Sequence, residues 1–150
     1  MKLNPLIATP ALILLMGIAN ITPSARSEEV YMDGNCRHDP NLESDGDRFT
    51  VFYGRKFIVN NQTYWLYAAQ YQDGSAIFCV SRPDFNRPQM IRSEEINNHF
   101  IEKVEQDGNN NPMFYVQVRE GQNSNVPLVN YRLNLSNPNR PVVTYLSTEQ

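Results

Sequence analysis

Histidine and cysteine, which supply most zinc ligands together with carboxylates, are scarce in this chain. It has two histidines, His38 and His99, and two cysteines, Cys36 and Cys79. A zinc site takes three or four ligands, and the spacing of these residues does not resemble a ligand set. We therefore expect no metal site and no cofactor.

The acidic segment around residues 39–47 is the other place where a metal could be sought. Carboxylates near a glycine can wrap calcium. If Asn41, Glu43 and Asp45 took the first ligand positions of a helix-loop-helix calcium site, however, the last acidic ligand would fall on Phe52. We interpret this segment as a solvated, turn-forming arm, because alternating Asp and Gly residues also encode turns.

Sequence motifs of the commoner enzyme classes are also lacking. There is no Gly-x-Ser-x-Gly motif for a nucleophilic serine, and residues 53–56 (Tyr-Gly-Arg-Lys) are not part of a glycine-rich phosphate loop. Paired carboxylates for glycoside hydrolysis cannot be identified without their separation in space. The sequence identifies no catalytic residue, and it favours a protein that is not an enzyme.

Positive charge is in short supply. The formal net charge is −3, and without residues 1–27 it becomes −5, from 11 basic and 16 acidic side chains. General binding to nucleic acid or to anionic lipid needs dense positive charge. We therefore expect no nucleic-acid partner.

One long apolar run is present, at residues 6–21, just after the positively charged Lys2. Small residues at Ala25 and Ser27 follow it, as signal peptidase requires. We predict a cleavable signal peptide at residues 1–27, with cleavage after Ser27, and a secreted or periplasmic protein without stable membrane insertion after cleavage.

A retained membrane anchor is the alternative for this segment. A spanning helix wants about 20 uninterrupted apolar residues. The run is shorter and contains Pro10 and Gly17, so cleavage is the favoured interpretation.

The two cysteines predict a structural disulfide, Cys36–Cys79, because an even pair in an exported chain is most simply cross-linked. A catalytic dithiol is disfavoured, since the usual redox motif places its cysteines three positions apart. The bond would tie a polar N-terminal arm, residues 28–47, to a single β domain, residues 48–150. Because Cys79 shares a strand face with Ile77, we expect the bond at or near the core.

Strand patterns separated by turn signals fill most of that domain. Period-two alternation of apolar and polar residues is clearest at residues 113–119 and 129–135, and it is typical of antiparallel sheets with one buried face. The predicted strands are residues 48–53, 56–59, 63–71, 76–81, 100–106, 113–119, 129–135 and 141–146. The fold expected is mainly β: a small antiparallel meander that forms a barrel, a strongly curved sheet or a sandwich, with at most one short helix.

Residues 93–105 allow two interpretations. Ile96, Phe100 and Val104 recur at helical spacing, and Ser93 could cap such a helix. The favoured alternative is a loop, with one helical turn at most, that enters a strand at Phe100.

Two features are weak candidates for binding. Trp65 and Tyr67 alternate with other large side chains on one strand, and they form an apolar platform if that strand face is open. The alternative is a central strand buried on both faces, since large aromatic residues dominate cores.

Arg82, Arg87 and Arg92 recur within one predicted loop, residues 82–98. Clustered guanidinium groups can bind carboxylates or phosphates in a bidentate manner. The alternative is an ordinary loop with solvated charges.

These observations favour a small exported β protein that acts as a non-enzymatic binding module for a protein or glycan of the cell envelope. Inhibition of a secreted hydrolase is a specific version, since a disulfide-tied β domain displays rigid loops. The alternatives are a small secreted hydrolase that uses carboxylates and a structural envelope component. Fold class alone cannot choose among them.

Overall fold

The structure is a computed structural model that describes residues 29–41, 48–121, 123 and 125–150. The predicted signal peptide lies outside the described residues. So do Glu43, Asp45 and Asp47 of the acidic arm.

Nine β-strands and one 3-10 turn make up the regular structure of the described ranges. They are β1 (Tyr31–Met32), β2 (Phe49–Val59), β3 (Gln62–Gln70), β4 (Ala76–Arg82), the turn Pro83–Phe85, β5 (Asn86–Met90), β6 (Phe100–Gln106), β7 (Met113–Arg119), β8 (Leu128–Asn134) and β9 (Val142–Glu149). There is no α-helix in this part of the chain, and no helix in it is long and apolar enough to cross a membrane. The prediction of a mainly β fold is confirmed.

Both sheets are antiparallel meanders in which each strand pairs with its neighbour in sequence. The first sheet has the order β1-β2-β3-β4-β5 and curls into a half-barrel; the second has the order β6-β7-β8-β9. Single bridges join the two, between Ser75 and Phe100 and between Phe57 and Asn110. Tight turns explain the simple order: Asn60 and Asn61, both at positive φ, connect β2 to β3 as a two-residue hairpin.

The main core lies between the two sheets. Alternation puts one face of β2, β3, β4 and of β6 to β9 into it, as the sequence predicts for β7 and β8. The buried members are Phe57, Leu66, Ala68, Phe78, Val80, Ile91, Ile96, Phe114, Val116, Val118, Val129, Leu133 and Leu135. Strands β3 and β4 also bury their other face.

A second, smaller core covers that other face beneath the N-terminal arm. It contains Met32 and Cys36 from the arm and Tyr67, Ile77 and Cys79 from the sheet. The disulfide Cys36–Cys79 is present, with the two Cα atoms 5.8 Å apart. Its place beside Ile77 confirms that it lies in a core, and it fixes the arm against the sheet.

The break predicted between the strands at residues 48–53 and 56–59 is wrong. Strand β2 runs through Gly54, with only a bulge between Val51 and Tyr53. Gly54 pairs with Tyr67, and a Cβ atom at position 54 would lie 3.2 Å from the tyrosine ring. The glycine therefore marks the close approach of an aromatic ring rather than the end of a strand.

The prediction of a continuous loop at residues 82–98 is also wrong in part. Residues 86–90 form strand β5, which pairs with β4 at the edge of the first sheet. Pro88 hid this strand, because proline argues against a central strand but is tolerated at an edge.

Residues 93–105 follow the favoured interpretation. The backbone N–H of Asn97 donates to the carbonyl of Ser93, which makes one turn, and β6 starts at Phe100. The buried Asn97 holds this turn in place: its amide nitrogen donates to the carbonyl of Ile91, and its amide oxygen accepts from the backbone N–H of Phe78 at 3.3 Å.

Candidate binding cleft

The three arginines of the 82–92 segment border one composite depression, which we call the arginine cleft. It lies between the outer strand β5 and the loop at residues 136–141, and it consists of two hollows that share Gln89 and Asn139. The first, of about 150 Å³, is also lined by Tyr64, Val80, Ser81, Arg82, Arg87 and Pro138. The second, of about 450 Å³, adds Asn35, Met90, Arg92 and Pro141.

Arg82 is held in place by two contacts. Its guanidinium carbon lies 4.2 Å from the centre of the Tyr64 ring, and its Nη2 atom donates to Gln62 Oε1 at 2.6 Å. A cation–π contact of this kind contributes about 0.5–2 kcal/mol, depending on exposure. Since a guanidinium carries five N–H donors, Arg82 keeps donor capacity while its position is fixed.

Arg87 owes its position to a bulge between β4 and β5. Val80 pairs with Gln89 and Arg82 pairs with Asn86, so Arg87 and Pro88 together face the single residue Ser81. Bulges of this kind redirect side chains and are enriched beside functional sites.

The backbone around Arg87 is unusual for residues other than glycine. Asp84, Phe85 and Arg87 all have φ values of 50–59°, in the left-handed region. Such conformations cost of order 1 kcal/mol each and persist where the surroundings enforce them, often at functional sites. The segment that carries the arginines is therefore shaped by its neighbours rather than by its own preference.

The arginines of the cleft lack acidic partners. In the ranges the structure describes, no carboxylate lies within salt-bridge distance of Arg82, Arg87 or Arg92, and none lines either hollow. Arg119, in contrast, is paired with Glu102. The cleft is thus a local cationic surface on a chain whose net charge is negative.

Trp65 and Tyr67 lie on the opposite face of β3, away from the arginine cleft. Their rings stack with centres 5.9 Å apart, Tyr67 stacks on Phe85 at 4.9 Å, and Phe85 stacks on His38 at 4.4 Å. Tyr67 is only 9% exposed and Trp65 is half-buried. Burial raises the pKa of the Tyr67 phenol, and the Asp84 carboxylate raises it further.

The structure therefore separates the two sets of predicted binding residues. It gathers Arg82, Arg87 and Arg92 around one cleft, and it uses Tyr67 in the small core under Phe85. A binding role for Trp65 and Tyr67 stays a prediction, with the half-buried Trp65 as the more accessible of the two.

Several cleft residues were missed from the sequence. Tyr64 and Gln89 could have been found, since alternation places Tyr64 on the β3 face opposite Trp65 and a β5 strand would place Gln89 beside the arginines. Asn35 and Asn139 come from distant loops, and no local sequence signal connects them to the arginines.

A separate hollow of about 380 Å³ contains two carboxylates, Asp73 and Glu102. Glu102 is paired with Arg119. Hydrogen bonds from the hydroxyl and backbone N–H of Ser75 lower the pKa of Asp73. A general acid for glycoside hydrolysis needs its pKa raised, so the shift at Asp73 has the wrong direction for that role.

In the described ranges, no cluster of three or more His, Cys, Asp or Glu residues is placed to hold a metal ion.

Comparisons of the chain with protein-family models, with curated proteins and with solved structures return no significant match. Function must therefore be inferred from the geometry of the cleft itself.

Proposed function

We propose that the protein is an exported, non-enzymatic binding module whose arginine cleft recognises a carboxylate- or phosphate-bearing group on a protein or glycan. The observation that carries this proposal is that Arg82 and Arg87 line one hollow of the cleft and Arg92 lines the adjoining one, with no carboxylate partner among the described residues. Inhibition of a secreted hydrolase is one form that such binding could take.

The arrangement favours an anion for a physical reason. Hydrogen bonds between a guanidinium and an anion are about twice as strong as those between neutral groups. Arg82 is already ordered by Tyr64 and Gln62, so less side-chain entropy is lost when a ligand binds. Gln89 and Asn139, whose side-chain amides can donate hydrogen bonds, line both hollows.

Export is supported by the disulfide. Structural disulfides persist in oxidising compartments and are rare in the cytosol, and Cys36–Cys79 joins two separate parts of this fold. Mass spectrometry of the protein recovered after export tests the signal peptide directly. A mature chain that begins at Glu28 is expected, and an uncleaved chain contradicts the prediction.

The test of binding uses a fluorescein-labelled hexaglutamate peptide and a hexaglutamine peptide as neutral control. Fluorescence anisotropy is measured for the wild type and for the triple variant Arg82→Gln, Arg87→Gln, Arg92→Gln. A second triple variant (Arg55→Gln, Lys56→Gln, Arg132→Gln) removes the same charge from exposed residues that do not line the cleft.

We expect the wild type and the control variant to bind hexaglutamate alike, and the cleft variant to bind at least tenfold more weakly. Inorganic phosphate should compete, because the same donors would bind it. Equal weakening by the two triple variants would mean that net charge, not the cleft, governs binding. No binding of hexaglutamate or phosphate by the wild type would overturn the proposal.

A further inference from the structure

The four outer strands of the two sheets differ in how they are protected from pairing with other chains. An unpaired strand edge presents free N–H and C=O groups, and proteins block such edges with short strands, prolines, charges and bulges. Strand β1 has only two residues, and β5 contains Arg87 and Pro88. Strand β6 carries Glu102, Lys103 and Glu105 and a bulge.

Strand β9 lacks most of these protections. It has eight residues, and the seven from Val142 to Thr148 include no charge and no proline. One irregularity occurs in its pairing with β8, beside Leu146. Val142, Tyr145 and Leu146 are 54%, 58% and 43% exposed, so a long uncharged strand with large apolar side chains forms this edge.

The apolar inner face of the second sheet continues out to this edge. Val143 packs against the main core, and the Tyr145 ring packs edge-on against Tyr131 with centres 6.1 Å apart. Tyr145 nevertheless remains exposed over more than half of its surface. At this edge the core therefore ends at the exposed ring of Tyr145 rather than at polar side chains.

We propose that β9 pairs with β9 of a second copy of this chain, in antiparallel orientation about a two-fold axis, to make one eight-stranded sheet from two four-stranded sheets. The juxtaposition behind this inference is an uncharged, exposed edge strand with Arg140 before it and Glu149 at its end. The inference is independent of the function proposed for the arginine cleft.

The register of the proposed pairing follows from which face of the sheet each β9 residue lies on. Val142, Thr144, Ser147 and Glu149 pair with the outward-facing residues of β8, whereas Val143 and Thr148 pair with its inward-facing residues. Pairing Val142 with Glu149 of the second copy matches outward with outward residues. It also matches Val143 with Thr148 and Thr144 with Ser147, and it places Tyr145 beside Leu146 at the two-fold axis.

Charge complementarity favours a second copy as the occupant. Glu149 accepts hydrogen bonds from the neutral amides of Asn130, at 2.9 Å, and Gln117, at 3.5 Å, and no cation lies within salt-bridge distance of it in the described part of the chain. In the proposed register Glu149 lies one diagonal from Arg140 of the second copy, within reach of a long side chain. Two-fold symmetry repeats this pair at the other end.

Sedimentation velocity from 1 to 200 µM tests the inference on the protein recovered after export. The variant Leu146→Lys puts two cations at the symmetry axis. The control is Ile58→Lys, since Ile58 is an isoleucine of β2 that is 42% exposed, against 43% for Leu146. Thermal unfolding of each variant checks that both remain folded.

A concentration-dependent monomer–dimer equilibrium is expected for the wild type and for Ile58→Lys, with a dissociation constant at least tenfold higher for Leu146→Lys. The inference is overturned if the wild type stays monomeric or assembles beyond dimers. It is also overturned if Leu146→Lys leaves the dissociation constant of the dimer unchanged.

The register has its own test. Single variants Thr144→Cys and Ser147→Cys are mixed and oxidised, and peptide mass spectrometry confirms that Cys36–Cys79 is intact. A cross-link between the two variants should exceed cross-links within either variant alone. Equal or smaller yields of the mixed product would contradict the register.

Discussion

Strands β5 and β9 both end a sheet, but their chemistry is opposite. β5 is short, bulged and polar, with Arg87 and Pro88 at its centre, and its side chains line a cationic cleft. β9 is longer, uncharged from Val142 to Thr148, and carries exposed apolar side chains. The side chains of β5 are therefore suited to contact an anion, whereas the backbone of β9 is suited to pair with another strand.

Removal of the disulfide should give the largest effect, with a loss of global stability and a local loosening confined to the β5 side. Loss of a native disulfide from a small exported domain costs about 2–5 kcal/mol of unfolding free energy. The double variant Cys36→Ser, Cys79→Ser frees the arm that brings Asn35 to the cleft. Urea unfolding should show the loss.

Hydrogen exchange of the same variant locates that effect. Amides of β4 and β5 should lose more protection than the drop in global stability accounts for. Amides of β8 and β9 should lose no more than that drop. Equal local loss in both sheets would contradict the separation of the two edges.

The next largest effect is a difference in salt dependence between binding at the cleft and self-association through β9. Exposed charges are screened within about 10 Å at 0.1 M salt, so hexaglutamate binding at the cleft should weaken about tenfold between 50 and 500 mM NaCl. Self-association through β9 depends mainly on backbone pairing and apolar contact and should change by less than about threefold. Anisotropy and sedimentation measure the two quantities, and parallel salt dependence would mean that both rely on charge.

A smaller effect is expected at Gly54, which lies beneath the aromatic stack. A Cβ atom there would meet the Tyr67 ring at 3.2 Å, so Gly54→Ala should cost about 1 kcal/mol through overpacking. The control is Gly34→Ala, whose Cβ would meet Phe49 at an ordinary 3.8 Å. Urea unfolding compares them, and an equal or smaller loss for Gly54→Ala would mean that the ring yields freely.

The smallest effect is a pH dependence at the β3–β4 turn, which belongs to neither edge. The pKa of Asp73 is lowered by hydrogen bonds from Ser75, so its contribution to stability is present above its unfolded pKa, about 3.9. That contribution to stability is lost as the pH falls through the lower pKa that Asp73 has in the folded protein.

The variant Ser75→Ala should therefore melt slightly below the wild type at pH 6, with the gap narrowing toward pH 2. The melting temperatures of both proteins across this range are the measurement. A gap that widens in acid would contradict the sign of the shift.

The alternation in the sequence predicted much of the fold. Phe114, Val116 and Val118 were expected on one face of β7, and all three are buried. The disulfide was also predicted, because compartment and cysteine count leave one pairing. These predictions succeed because each rests on a local period or on simple counting.

The parts that failed depend on contacts between distant residues. Strand β5 was missed because Pro88 obscures an edge strand, and Gly54 was read as a break because Tyr67 could not be placed over it. The arginines were noticed from their recurrence, but Tyr64 and Asn139 join them only through the fold.

Heteronuclear NMR of the isotope-labelled, disulfide-bonded protein, titrated with hexaglutamate below 20 µM protein, tests the central claim about the cleft most directly. The account predicts that shift changes centre on the side-chain signals of Arg82, Arg87 and Arg92 and on the amides of Gln89 and Asn139, with β9 unaffected. Changes centred on β9 or on the Trp65 face, or changes spread evenly over all basic residues, would contradict it.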